Sequence, residues 1–303
     1  MSVDLQQYLI HPVERPLDDA EAKVDLIRSK DHPIMAFFYE SCFIRHDYVL
    51  CDTEYALPYD ELFCFCSTTL DDEKLGATVT MEIAGQTLTT DRNCFVQVPA
   101  FVPHGRISVT NMETPIFHYV TGTGREHTSL PKELWHPEMA PALEELVIYH
   151  SEESCNRDPH KCEHQRLVMR NTPGVTSDFK LGGSFRRFLK TPGWTYVKNA
   201  HIHATPEILG FYSADPWHPF DLGGTYSQSI NGENVILDKP TVIYLPPYMA
   251  HCPIVVHKLE KDNFWSSTGL ATGPESSAPI YNLKDYGLEE NGEPMVWHME
   301  EPW

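Results

Sequence analysis

The sequence predicts an all-β chain built from two copies of one unit, with short helical segments near the N-terminus and between the copies. Three observations carry this. A strand-like run, Glu61-Leu-Phe-Cys-Phe-Cys-Ser67, returns as Glu207-Ile-Leu-Gly-Phe-Tyr-Ser213, with Glu first, Phe fifth and Ser seventh in both. Pro99-Ala-Phe-Val-Pro-His104 returns as Pro246-Pro-Tyr-Met-Ala-His251, with proline five residues before histidine each time. Gly76 and Gly85 stand 28 and 19 residues before His104, and Gly223 and Gly232 stand 28 and 19 before His251. These landmarks hold an offset of 146 or 147 residues, which marks an internal duplication.

The later copy carries chemistry that the earlier one has lost. Apolar and aromatic residues around His201-Ile-His203 predict a strand, where side chains two apart share a face. Glu207 follows four residues after His203, and His251 stands 44 residues beyond Glu207, behind the turn-forming Pro246-Pro247. Three neutral imidazoles and one carboxylate make a mixed N/O site suited to Mn, Fe, Co, Ni or Zn, with positions left for substrate. The earlier copy has Tyr55 and Leu57 in place of His201 and His203, and keeps only Glu61 and His104. Two ligands hold a metal poorly. The first copy is therefore expected to be metal-free, its Glu–His pair an ion pair or a remnant pocket.

A strand carrying H-x-H, a glutamate four residues on, glycine-marked hairpins and then P-x-x-x-x-H resembles the two motifs of the cupin superfamily. Two copies in one chain resemble the bicupins, over roughly residues 40–125 and 190–275. The resemblance implies two tandem cupin barrels of the double-stranded β-helix kind. It divides the chain into an N-terminal barrel with its arm (1–125), a connector with one helix (126–192) and a C-terminal metal-binding barrel with an acidic tail (193–303). In that family, both histidines and the glutamate of the first motif, with the histidine of the second, bind one metal. That implies His201, His203, Glu207 and His251 as ligands of one divalent ion, with Mn favoured over Fe or Zn. The second motif normally has glycine where this chain has Tyr248 and asparagine where it has Val255, so Tyr248 brings a phenol close to His251. Cupins often dimerise, which extends the expectation to a homodimer.

Composition narrows the partners. At 303 residues, 41% hydrophobic and 22% charged, the chain reads as an ordinary globular protein large enough for two domains. No apolar run approaches the roughly 18–20 residues that span a bilayer. The opening Met-Ser-Val-Asp-Leu-Gln-Gln lacks the basic segment and apolar core of a signal peptide, which predicts a cytoplasmic protein. A net charge of −20 argues against nucleic acid and anionic membrane as partners and leaves a small-molecule substrate. The eight cysteines read as free thiols, with Cys64 and Cys66, which alternate with Phe63 and Phe65, as small buried hydrophobes.

Local patterns fill in the rest. Residues 1–17 read as an extended arm and 17–28 as a short helix, acidic in its first turn with Arg28 and Lys30 near its end. Thr78–Ile83 reads as a strand leading to an Ala84-Gly85 hairpin turn. Leu143, Leu146 and Val147 fall at helical spacing over 140–150. Cys155, His160, Cys162 and His164 match no standard zinc spacing and read as a polar loop. Arg186 and Arg187 read as partners of the acidic surface. The loop after the second glutamate strand places His218 near a rim, and Trp297 and Trp303 read as anchors of the tail.

Glu207, Leu209, Phe211 and Ser213 share one face, giving the site a largely apolar lining. A metal there polarises a carbonyl, acidifies water or chelates two substrate oxygens. The expected function is a divalent-metal enzyme acting on a small oxygen-rich substrate. A redox-neutral hydrolase cleaving a C–C bond beside a carbonyl is favoured, with manganese-dependent hydrolases of cyclic β-diketones as the precedent the resemblance supplies. A dioxygenase of a polyphenol or diketone and a non-enzymatic small-molecule-binding cupin are the alternatives. Oxalate decarboxylase chemistry is disfavoured, because bicupins of that type generally keep both metal sites. Tyr248, His218 and Asn199 are the candidates for proton transfer or substrate orientation.

Overall fold

The computed structural model describes residues 4–13, 22–125, 127–150, 164–171, 179, 181–198 and 200–273, with short strand segments between 276 and 294. The chain opens on β1 (Leu9–Ile10) and builds a first barrel from β2 (Lys23–Arg28), β3 (Phe38–Ile44), β4 (Tyr48–Tyr55), β5 (Glu61–Ser67), β6 (Lys74–Ile83), β7 (Gln86–Arg92), β8 (Cys94–Val98), β9 (His104–Thr110), β10 (Ile116–Gly122) and β11 (Val147–Tyr149). The second barrel uses β12 (Gln165–Asn171), β13 (Leu181–Phe188), β14 (Trp194–Val197), β15 (His201–His203), β16 (Glu207–Ser213), β17 (Gly224–Ile230), β18 (Glu233–Leu237), β19 (Thr241–Leu245), β20 (His251–Leu259) and β21 (Asn263–Gly273).

Each barrel is a pair of sheets. The first joins a sheet ordered β11-β8-β5-β10-β3-β2 to one ordered β4-β9-β6-β7. The second joins β1-β19-β16-β21-β13-β12 to β18-β17-β20-β15, the latter extended by Ile280–Asn282 and with β14 on β20. All these pairings are antiparallel, so short turns suffice between neighbours. The duplication is written into the backbone. Ala84-Gly85 (φ 50°, 78°) and Asn231-Gly232 (φ 51°, 81°) make the same hairpin turn, both residues left-handed as a type I′ turn requires. Phe101 and Tyr248 (φ 68° and 61°) are a second matched pair, 147 residues apart.

β5 is buried along its whole length because both of its faces are covered. Phe63 and Phe65 point into the first barrel, whereas Leu62, Cys64 and Cys66 belong to a core shared with the second barrel. Thiols are compact enough to let the two sheets approach. Across that joint Phe117 meets Tyr212 at 4.9 Å and Phe185 at 5.7 Å between ring centroids, and the Tyr39 and Tyr212 hydroxyls are hydrogen-bonded. Arg187 closes the joint. Its guanidinium donates from one nitrogen to the Ser67 carbonyl at 2.6 Å and from another to the Thr69 carbonyl, and lies over the Phe264 ring. The expected surface ion pair for Arg187 is thus replaced by buried bonds to backbone oxygens; Arg186 instead donates to Gln165 and lies over Tyr196.

Two expected helices are largely strands. Lys23–Arg28 is β2, because Val24 and Asp25 pair with Phe43 and Cys42 on the open edge of β3. A sheet edge overrides a modest helical preference. Over 140–150 only Leu143–Leu146 makes a helical turn, and the β-branched Val147 and Ile148 then continue as β11 against Val96 and Phe95. Short 3-10 turns at Leu5–Tyr8 and Ser29–Asp31 supply the N-terminal helical segments. Sheet membership also cuts across the boundaries at 125 and 192, since β1 pairs with β19 while β11 lies beside β8. The polar loop at Cys155–Cys162 and the tail at Trp297 and Trp303 lie outside the described residues. No helix among the described residues is long and apolar enough to cross a membrane. Cys42, Cys51, Cys64, Cys66, Cys94 and Cys252 are free thiols.

Candidate metal centre

β15 and β20 run side by side with His201 directly opposite His251, their ring centroids 4.3 Å apart. β16 begins at Glu207, whose Oε2 is 3.2 Å from His251 Nε2 and whose Oε1 accepts a hydrogen bond from the Ser267 hydroxyl on β21. His251 Nδ1 lies 2.9 Å from the Met249 carbonyl. A carbonyl can only accept, so the proton sits on Nδ1 and a neutral His251 presents the Nε2 lone pair to the carboxylate. Two facing lone pairs need a cation, either a proton or a metal ion. This is the arrangement a metal-ligating histidine adopts, with its outer nitrogen held by backbone.

Cys252 joins them. Its sulfur and one ring nitrogen each of His201 and His251 all lie within 4.8 Å of one another. Simple alternation would send residues 251 and 252 to opposite faces. A bulge prevents this: three steps along β20, from His251 to Ile254, oppose two steps along β17, from Ile230 to Gln228. The same bulge occurs in β9 opposite β6, where position 105 is glycine. A Cβ on Gly105 would lie 2.1 Å from the Thr53 carbonyl oxygen, so the first barrel has no room for a side chain there. Glycine is the residue for this left-handed bend, and in the second barrel a cysteine adopts it (φ 73°).

The first barrel carries other residues at the matching positions. Tyr55 lies opposite His104, its ring 4.3 Å away at 60°, as His201 lies against His251 at 64°. Glu61 is fully buried, with Oε2 2.6 Å from His104 Nε2 and Oε1 3.3 Å from Nε2 of His127, a residue from beyond β10. Burial raises the Glu61 carboxyl, but the hydrogen bonds from His104 and His127 outweigh it and hold the group below its ordinary range. Burial opposes a charge on His127, yet the bond to Glu61 and the Glu61 charge lift the imidazole above its ordinary value. His104 is held like His251, its Nδ1 2.8 Å from the Val102 carbonyl, and one imidazole faces each oxygen of the Glu61 carboxylate.

The sequence-predicted residues divide. His201, Glu207 and His251 come together; the His203 side chain and Asn199 lie outside the described residues. Tyr248 is 39% exposed on the turn that delivers His251, three residues before it. His218 is not brought to the cluster. Its ring is held 2.8 Å from Asp215 in an exposed loop beyond Ser213, while Glu207 starts the strand at its other end. Cys252, Ser267 and His127 are the residues that sequence reasoning missed. The sole signal for Cys252 was the match of its position to Gly105, and the other two carried none.

No family model matches the chain, and no curated protein matches it by sequence. Solved structures do. Oxalate decarboxylase from Bacillus subtilis at pH 4.6 aligns over 92% of this chain and 79% of its own, at 11% identity and a TM-score of 0.55. A deletion mutant of that enzyme aligns over 92% and 80% at the same identity and score. AerE from Microcystis aeruginosa aligns over 86% of this chain and 99% of its own, at 12% identity and a TM-score of 0.49. At these identities the likeness is one of fold. The fold is all-β, two tandem cupin barrels with short helical segments.

Proposed function

We propose that the chain is a divalent-metal-dependent enzyme acting on a small oxygen-rich substrate, and that it is a redox-neutral hydrolase cleaving a C–C bond beside a carbonyl, as in a cyclic β-diketone. The donor set of His201, His251, Glu207 and Cys252, with His203 as a further ligand, supports a metal such as Mn, Fe or Zn. Bound there, the ion would polarise a carbonyl and acidify water. Likeness in fold to oxalate decarboxylase supports an enzyme over a purely binding protein.

The observation that carries the redox-neutral choice is the thiol. Cys252 lies within 4.8 Å of the His201 and His251 donors; burial pushes its thiol up, but bound to the ion as a thiolate it would be open to oxidation by oxygen chemistry at the centre. Hydrolysis adds hydroxide to one carbonyl carbon and a proton to the carbon between the carbonyls, opening the ring to a keto acid. The protein supplies orientation and the proton. Ser267 fixes one Glu207 oxygen and leaves the other toward His251, while Tyr248 offers a hydroxyl from the exposed turn before it. The test is turnover of cyclohexane-1,3-dione and related diketones under strict anaerobiosis in heavy-oxygen water. An undiminished rate with label in the new carboxylate is expected; turnover that stops without oxygen would overturn the hydrolase.

A further inference from the structure

The first barrel, with Tyr55 opposite His104, is hollow. A cavity of about 990 Å³ opens into it, at the upper end of what small-molecule sites need. Phe38, Leu50, Phe63, Ile107 and Val120 give it an apolar wall, and Tyr55 and His127 line it beside the buried Glu61 cluster. Three cationic side chains, Lys23, Lys30 and Arg125, also line it, in a chain whose net charge is −20. Lys23 is held by Asp25 at 2.8 Å, but Lys30 and Arg125 make no ion pair with a carboxylate among the described residues. Arg125 instead donates to the Pro33 carbonyl at 3.0 Å, which fixes its guanidinium at the opening.

Two acids, Asp25 and Glu40, also line the cavity, and Glu40 feels the charges of Lys23 and Lys30. Asp25 is shared between Lys23 and Arg28, and Glu40 has its carboxyl pushed up by burial, toward its neutral form. Two cations that make no ion pair with a carboxylate within 4 Å among the described residues, lining one cavity with an apolar wall, match a molecule with one anionic end and one greasy end. We propose that the first barrel is a second, metal-independent binding site, which takes a small carboxylate with an aromatic or apolar body. Lys30 and Arg125 receive the carboxylate, and Phe38, Phe63 and Val120 receive the body. None of the residues that line it belongs to the His201–His251–Cys252 cluster.

Calorimetric titration of the metal-loaded, full-length protein tests this, with phenylacetate as probe and phenylacetamide as its neutral counterpart. Phenylacetate should bind, and phenylacetamide should bind about tenfold more weakly or worse. A Lys30→Gln/Arg125→Gln variant should lose phenylacetate affinity by a similar factor, and both positions are exposed, so the fold is kept. Lys30→Gln alone, which touches no hydrogen bond of the Pro33 turn, should fall between the two. His201→Ala/His251→Ala should bind phenylacetate as wild type does. The proposal is overturned by wild type that does not bind phenylacetate, by equal affinity in the double charge variant, or by loss of binding in the histidine variant, which would move the carboxylate to the second barrel.

Discussion

Cys252 holds a left-handed backbone conformation that its duplicate partner reaches with glycine. Such a position costs a side-chain-bearing residue on the order of 1 kcal/mol, which is tolerated where the side chain has a use. Cobalt(II) loaded into the protein should therefore show a thiolate-to-metal charge-transfer band in the near ultraviolet. Cys252→Ser should remove that band and keep the visible bands of an imidazole-bound ion, whereas His251→Ala should remove both. A wild-type spectrum with visible bands alone would exclude the thiol and leave the histidines in place. A second prediction concerns the Glu61–His127 pair. Glu61 is depressed below its ordinary 4.5, so its contribution is complete above that pH and lost as pH falls through the lowered value. His127 is raised above its ordinary 6.5, so its contribution is complete below that pH and lost as pH rises through the raised value. Thermal unfolding followed against pH should show His127→Gln losing the alkaline limb of that dependence; an unchanged limb would mean the pair contributes nothing. At this scale the sequence was legible wherever residue type and spacing both repeat. His201, Glu207 and His251 met that condition. Cys252 did not, because a bulge breaks the alternation by which strands are read, and His127 did not, because it reaches Glu61 from a connection.

β13 shows what a single strand contributes to the joint between the barrels. Arg187 is 1% exposed, and its bonds go to two carbonyls of the chain just after β5. Arg187→Leu would leave the buried Ser67 carbonyl and the half-buried Thr69 carbonyl without their donor, at a cost of about 1–3 kcal/mol. Denaturant unfolding measures this, and a loss under about half a kilocalorie would show that water replaces the guanidinium. The buried role was hidden in the sequence, since Arg186-Arg187 in an acidic chain looks like surface. Helices failed for a related reason. Leu26-Ile27 and Val147-Ile148 fit either a helix face or a strand, and the choice fell to the open edges of β3 and β8, partners far away in sequence. The strands of the duplicated units were plain, because alternation and glycine turns are local.

Taken as one molecule, the two barrels share ancestry and differ in equipment. Metal analysis of protein purified without added metal should find one equivalent per chain, lost in His201→Ala/His251→Ala and unchanged in Glu61→Ala or His104→Ala. A second equivalent that disappears with Glu61→Ala would make the first barrel a metal site after all. The duplication was legible because an offset of 147 survives in both residues and dihedral angles, at Gly85 and Gly232 or Phe101 and Tyr248. The way the sheets trade strands was not, because β1 carries no mark of its partner. That partner has a consequence in time. Leu9 pairs with Ile243, and the His11 ring is 3.1 Å from the Thr241 hydroxyl, 230 positions further along the chain. During synthesis β1 leaves the ribosome long before β19 and lacks this partner until that strand has followed it. The first barrel can close around its own strands meanwhile, and β1 should be among the later strands to dock, so that a segment ahead of the first barrel fastens the second.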